Sequence, residues 1–430
     1  MGDNKFRIAI IGGGLAGATL ANALFRIPYL DAHVYESSAT FSERGAAVGL
    51  SANAQQALEM IIVPSSKELL ERAGAVPMNS SRAVLGSGPE AGTIIIDLAG
   101  HGDPGVVVHR AALLRELLAP LPPDLLHANK KLNSLVQEED GLYQVRFEDG
   151  TVERFDAVIG ADGIFGSVRS FVLGDAAAAA AAEHGPSPAG FWDCRVLVPF
   201  DKAKATLGEQ YFDVHRQYGW VGDGAFIMHD ILDAGTTVQC VVSAVEKDAP
   251  RDRKRPLTLE SLTKSLRTWL DGPIAKGVID VSFSLVLDQA DPQGYSQWEH
   301  KSTPTYANGR VCIIGDAAHA TSPWQGAGAG QAFEDALILG FLLGNDHVKR
   351  RADIEAAFKA FDVVRRPRCQ QVIDSSRGTG AIMCGQNPDV GLDPARVRAA
   401  FAGRWSFIFS LDLDEYRQDA LKKMREFLGQ

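Results

Sequence analysis

No run of about 18 apolar residues occurs in the 430-residue chain, so a transmembrane helix is not expected. The first residues, MGDNKFRIAIIGGGLAG, lack an apolar segment ending in a cleavage site, and no secretory peptide is expected. Phe6 stands where a myristoylation signal wants Ser or Thr. Cysteine is sparse: Cys194, Cys240, Cys312, Cys369 and Cys384 are odd in number, and no two have redox or metal-ligand spacing. That excludes a disulfide framework and points to reduced thiols in a cytoplasmic protein without a metal. Basic charge is in deficit, 43 Lys plus Arg against 53 Asp plus Glu for a net charge of −10. The chain therefore lacks the overall electrostatic footprint of a nucleic-acid or anionic-membrane binder. What it has is apolar material, 46% against 22% charged, enough for a sizeable core and incompatible with disorder as the main state. Glycine is in excess, at 43 residues, and that needs a backbone reason.

The first reason lies near the start. Residues 7–11, RIAII, read as a buried parallel strand, followed by Gly12, Gly14 and Gly17 in GGGLAG and a helix over ATLANALFR. Gly12 permits the tight turn, Gly14 lets backbone approach a pyrophosphate, and Gly17 lets helix and strand pack closely. The amides around Leu15 and Ala16 then open a helix N-terminus toward phosphate oxygens. A second apolar strand, AHVYE, ends at Glu36, 19 residues beyond Gly17, where a carboxylate can accept both ribose hydroxyls of an adenosine. The motif alone leaves FAD and NAD both open.

Further along, the pattern predicts helices at 52–60 and 64–72, a strand at Thr93–Leu98, and a helix from His109 stopped at Pro120. Arg110 falls in that helix's first turn, where a cation gains nothing from the dipole. A structural salt bridge and contact with a phosphate or cofactor ring both account for it. Leu142–Phe155 reads as a hairpin through Asp149–Gly150, and the strand in DAVIGADG ends at Asp162–Gly163, well placed to touch a ligand. Seven alanines at 176–182 read as a linker. From Phe191 to about Asp288 the texture becomes strand-like, at Arg195–Phe200, Gln217–Val221, Ala225–His229, Thr237–Val245 and Ile279–Leu287, with a helix at Thr263–Leu270. This predicts a mostly antiparallel layer apart from the nucleotide domain.

The second reason for glycine follows another buried strand, RVCIIG at 310–315. Asp316 stands at the strand end, able to accept from a sugar or ribityl hydroxyl, and Gly326, Gly328 and Gly330 alternate just before the helix AFEDALILGFLLG. Backbone there can lie against a flat ligand. Arg365, Arg366 and Arg368 in FDVVRRPRCQQVIDSSR are expected to pair with acids. The expected division is a first part of a nucleotide domain at 1–175, with an excursion near 76–105, a sheet domain at 176–300, the rest of the nucleotide domain at 301–365, and C-terminal helices at 366–430.

GGGLAG with Glu36, GADGIFGSVR at 160–169 and GDAAHATSPWQGAGAGQAFEDA at 315–336, in that order, resemble the single-component FAD-dependent aromatic hydroxylases, in particular salicylate hydroxylases and their fungal relatives. A second Rossmann unit for NAD is absent, as in that family. The resemblance implies an α/β fold: a Rossmann-like FAD domain of glutathione-reductase type, like that of p-hydroxybenzoate hydroxylase, with a mostly antiparallel substrate domain and C-terminal helices. It implies non-covalent FAD, NADH or NADPH as transient cosubstrate, O2, and hydroxylation of an electron-rich phenolic ring through a flavin C4a-hydroperoxide. Salicylate or a related hydroxybenzoate, decarboxylated to a catechol, is the expected substrate, and a polyketide phenol or N-heteroaromatic the alternative. An NAD-linked dehydrogenase and a non-catalytic flavin protein are the rival classes, and monomer and homodimer both stay open.

By the same resemblance Glu36 would hold the ribose, the Gly12–Gly17 amides the pyrophosphate, and Arg44 and Arg110 would lie near the phosphates and ribityl chain. Asp162 would touch FAD and the nicotinamide cofactor, and Asp316 the ribityl or pyrophosphate part. Gly326, Ala327, Gly328 and Ala329 would face the isoalloxazine, with amides stabilising anionic reduced flavin. One departure is Trp324, where bacterial-type relatives place a His, because an indole is no base. Arg195 and His229 align with a substrate-orienting Arg and Tyr. Arg195 is expected to pair with a substrate anion and His229 to take a phenolic proton, the alternative for each being a strand side chain in a polar network.

Overall fold

A computed structural model of the chain describes residues 5–42, 47–78, 81–98, 105–174, 184–212, 216–270, 286–287 and 291–430. Arg44, the alanine run and most of the expected strand at 279–287 lie outside these residues.

Ile8, Ala9 and Ile10 have no exposure, and a strand apolar on both faces belongs in the middle of a covered parallel sheet. Phe6–Ile11 accordingly runs parallel to Leu30–Tyr35 on one side and Ala157–Gly160 on the other. Val311–Ile313 extends the sheet parallel beside Ala157–Gly160, and Leu126–His127 and Ala307–Asn308 form its edges. The helices Leu15–Leu24 and Gly328–Leu343 bury their apolar residues in the same core as these strands.

The second sheet has eight strands in the order Lys254–Pro256, Gln293–His300, Pro186–Pro199, Thr237–Val245, Ala225–Leu232, Gln217–Gly222, Ser81–Leu85 and Ile94–Leu98. Neighbours are antiparallel except Gln217–Gly222 and Ser81–Leu85, which run parallel. Its outer face buries Trp192, Cys194, Trp220 and Ile227 against Ala203, Leu262 and Trp269. Its inner face packs at one end on Trp324, Ile382 and Phe401, through Phe191 and Phe226. At the other end Leu197 and Leu232 meet Ala47 and Val107. The helix expected at Thr263–Leu270 begins earlier, at Leu259, and gives way to a 3-10 turn over Arg267–Trp269. Thr258 is the reason. Its Oγ1 accepts from Ser261 N at 3.1 Å while its own N–H donates to Ser261 Oγ at 2.9 Å, a reciprocal cap that starts the helix there.

The long helix Arg351–Met383 crosses behind the first sheet and carries the three arginines, which take acidic partners as expected. Arg366 pairs with Asp362 at 2.9 Å and Arg368 with Glu334 at 2.7 Å. Arg365, wholly buried, donates to Glu334 at 2.5 Å and to Asp335 at 2.7 Å. Removing one member of a buried ionic cluster leaves the others uncompensated. Arg365→Met should therefore destabilise the protein by about 3–5 kcal/mol, read as a lower urea midpoint; a midpoint equal to the parent's would contradict this account of the cluster.

Candidate active site

Four parallel strands lie side by side, about 4.8 Å apart, and chains leave all four at one edge. The residues that follow them are Glu36, Gly12–Gly14, Ala161–Asp162 and Gly315–Asp316. Sheet order thus sets the sequence-predicted nucleotide residues in a row roughly 15 Å long, suited to an extended dinucleotide lying across the carboxyl ends of the strands. Gly12 has φ +108°, and a Cβ there would overlap the Ala161 carbonyl. Gly14 caps the helix Leu15–Leu24, so that Leu15, Ala16 and Gly17 form its first turn. Glu36 Oε2 accepts from Gly13 N at 2.9 Å and Oε1 from Ser38 N at 2.7 Å, which aims the carboxylate along the row.

Asp162 Oδ2 accepts from Val168 N at 3.1 Å, while Oδ1 is buried with no partner among the described residues. Burial, opposed by backbone donors, pushes its carboxyl up to about 6. An orphaned carboxylate oxygen at the strand ends is what a ligand hydroxyl or amide would satisfy. Asp316 is exposed at the start of the short helix Asp316–His319. Gly326 sits in the left-handed region, φ +63°, with open space where a Cβ would be, and Ala327, Gly328 and Ala329 lead from it into the helix Gly328–Leu343. These features fit FAD. Arg110 is half-buried at the first position of the helix Arg110–Leu118.

Beneath this loop lies a brace for which the sequence offered only scattered letters. Asp335 Oδ2 accepts from Gly315 N at 2.8 Å and pairs with His319 Nε2 at 2.6 Å; Oδ1 takes Arg365 Nε at 2.7 Å. Burial alone would neutralise Asp335, but His319 and Arg365 hold its carboxyl below the usual range. Cys369 Sγ, Asp335 and His319 offer ligand atoms within 4.8 Å of one another, and Arg365 Nη2, 3.4 Å from that sulfur, brings a cation into the cluster. Arg169, from the GADGIFGSVR block, donates to the carbonyls of Ala317 and Ala318 at 3.0 and 3.1 Å and ties the two motifs together.

The inner face of the eight-stranded sheet packs on Trp324, just before this loop, through Phe191 and Phe226. Arg195 pairs across to Val241, and Val241 to Met228, so Met228 shares Arg195's face. His229, one residue on, projects to the other face. It is buried among Tyr218, Phe212 and Trp220, with ring centroids at 5.4, 5.2 and 5.5 Å, and burial lowers its pKa to about 4. The expectation that His229 meets the substrate beside Arg195 is corrected by this register. Arg195 Nη2 lies 3.3 Å from Asp193, which also accepts from Gln297 at 3.2 Å. Asp230, missed by sequence reasoning, lies on the inner face and accepts from Gln217 at 3.1 Å and Gln239 at 3.5 Å. Alternation from Arg195 through the correct register is the one signal that would have found it. Trp324 is buried, with Phe191 and Phe226 edge-on at 5.0 and 5.8 Å.

The chain is 35% identical over 440 residues to the 6-methylsalicylate 1-monooxygenase of Aspergillus terreus, covering 97% of this chain and 92% of that protein. It belongs to the FAD-dependent monooxygenases related to salicylate hydroxylase. The salicylate hydroxylase of Pseudomonas putida is 30% identical over 425 residues, covering 96% of this chain and 95% of that one. A solved salicylate hydroxylase substrate complex superposes with a TM-score of 0.81 at 25% identity, over 97% of this chain and 98% of that one. The family described as FAD binding domain matches residues 235–376. This monooxygenase is thus an α/β flavoprotein, and no helix among its described residues is long and apolar enough to cross a membrane.

Gly12→Ala in this monooxygenase should abolish FAD binding, because the added Cβ collides with the Ala161 carbonyl and the positive φ is strained. Flavin absorbance per chain is the measurement, and near-parent content in folded protein would overturn the assignment. His229, its pKa depressed to about 4 from 6.5, contributes stability above pH 6.5 that is lost as pH falls toward 4. His229→Phe should reduce that acid sensitivity in melting curves. Its pH–rate profile above pH 6 should overlay the parent's, and a displaced profile would return His229 to the chemistry.

Proposed function

We propose that this monooxygenase hydroxylates an electron-rich phenolic ring, taking two electrons from NADH or NADPH and consuming O2. Salicylate or a related hydroxybenzoate is the leading substrate class, with loss of carbon dioxide and formation of a catechol. The observation that carries this reading is Arg195, a cation on the sheet face whose two ends pack on Trp324, just before the Gly326–Ala329 loop, and on Ala47 and Val107. The relatives named for salicylate and 6-methylsalicylate support the same class.

Glu36 would hold the ribose, the amides from Gly12 to Gly17 the pyrophosphate, and Arg110, Asp162 and Asp316 the phosphate and ribityl region, with no covalent link to FAD and no metal. Bound there, FAD supplies the redox chemistry, in which one oxygen atom enters the ring and the other leaves as water. The protein's own work is to anchor the substrate anion at Arg195, wall the ring off from water with Trp324, Phe191 and Phe226, and offer Gly326–Ala329 amides where charge develops. Trp324 excludes water and moves no proton.

A second reading, hydroxylation or dearomatisation of a polyketide phenol without a carboxylate, is favoured by Asp193 and Asp230. Both share the inner face with Arg195, so the cation there is already outnumbered by acids and a second substrate anion is less welcome. NAD(P)H consumption and oxygen uptake across a panel of phenols and hydroxybenzoates, with product mass analysis, separate the two. If no phenol stimulates NADH or NADPH oxidation, both readings fall. Arg195→Ala should raise KM or lower turnover by about tenfold or more, since the substrate anion would lose its charge partner. FAD content should not change. Unaltered constants would move the anchor elsewhere.

A further inference from the structure

Asp230 is 4% exposed and stands in the middle of a sheet, where nothing about folding calls for a carboxylate. A buried carboxyl without a contacting cation costs stability that an apolar residue would not. Among the described residues its side-chain donors are amides: Gln217 Nε2 at 3.1 Å on Oδ1 and Gln239 Nε2 at 3.5 Å on Oδ2. The second distance is at the limit of a hydrogen bond, so Oδ2 is weakly satisfied.

The charges around it are few. Arg195, on the same face, pairs with Asp193 and acts on Asp230 through its field. Arg216 lines the small cavity beside Asp230 and Gln217, and is itself paired with Asp97 at 2.7 Å. Across that cavity the strands Val76–Met78 and Gly105–His109 contribute Val76, Met78 and Val107, none of which titrates. His229 and Cys240 lie on the same strands as Asp230 and Gln239 but project to the opposite face.

We propose that Asp230 is the base that accepts the phenolic proton of the substrate, and that Arg195 holds the phenolate so formed. The inference rests on the phenol-hydroxylase reading above. The substrate O–H bond breaks, its proton bonds to a carboxylate oxygen of Asp230, and the electron pair stays on the phenol oxygen beside the guanidinium. One negative charge moves from protein to substrate, so the net charge of protein and substrate together does not change. Burial raises the Asp230 carboxyl to about 6, with the two amides and Arg195 opposing. It is therefore ionised at neutral pH and close enough to it for effective base catalysis.

The test uses the FAD-loaded full chain, an ordinary phenol substrate and a polyfluorinated analogue already ionised at the assay pH. Binding is followed by the flavin absorbance change, and ionisation of the bound ring by its ultraviolet phenolate band. Asp230→Asn should retain flavin and bind the ordinary phenol, but hold it protonated at neutral pH. Turnover of the ordinary phenol should fall about 100-fold or more, whereas that of the ionised analogue should fall less than about threefold, since it has no proton to give. Equal losses on both substrates would mean a structural role and overturn the proposal, as would no loss on either. Gln239→Leu, which removes one donor to the carboxylate, should shift the acid limb of the pH–rate profile upward by about 0.5–1 unit; an unmoved limb would also overturn it. A parent enzyme that binds no phenol would fail the phenol reading and this inference together. A working parent with an indifferent Asp230→Asn variant fails this inference alone.

Discussion

The contact on which the active-site side of the molecule depends is the carboxylate of Asp335. It is wholly buried, and it joins the Gly315 turn by a backbone bond, His319 at the end of the next helix, and Arg365 from the long C-terminal helix. A charge at that depth is tolerable only when its neighbours satisfy it, so the geometry of all three is coupled. The Asp316 carboxylate and the Gly326–Ala329 backbone are carried on elements that this cluster joins. Arg365 also grips Glu334 and Gln331 on the helix that continues from the glycine loop. The Gly326–Ala329 loop is in this way braced from behind by ions.

The second sheet divides its chemistry by face. Outside, aromatic rings and aliphatic side chains close over His229, whose imidazole burial keeps neutral. Inside, the two ends of the face pack on apolar residues from outside the sheet, and the stretch between them carries Arg195, Asp193 and Asp230. A polar strip bounded by apolar contacts is costly as a core and useful as a site. It sets Asp230, which is buried, near Arg195, which solvent and ligands can reach.

Much of the nucleotide half was legible from local signals. The strand–glycine–helix run at 7–24, Glu36 at the end of the second strand and Asp316 after the fourth are each stated by short-range pattern. The parallel order of the strands then sets them in one row. The antiparallel layer was legible as a layer but not in detail. The helix expected at Thr263–Leu270 starts at Leu259, because the reciprocal Thr258–Ser261 cap fixes its first turn there.

The residues on the inner face of the second sheet needed tertiary structure for a specific reason. A strand reverses the side of its side chains at every residue, so which of Met228, His229 and Asp230 shares a face with Arg195 depends on pairing register across Thr237–Val245. That register is set by long-range packing of both faces and is not written in any one strand. The same holds for Asp335, His319 and Arg365, separated by up to 46 residues and joined only when helix and sheet are stacked. The sequence by itself determined the nucleotide motifs, because glycine conformation and strand ends are local properties. Only the tertiary structure decided which acid, base and cation face the same space.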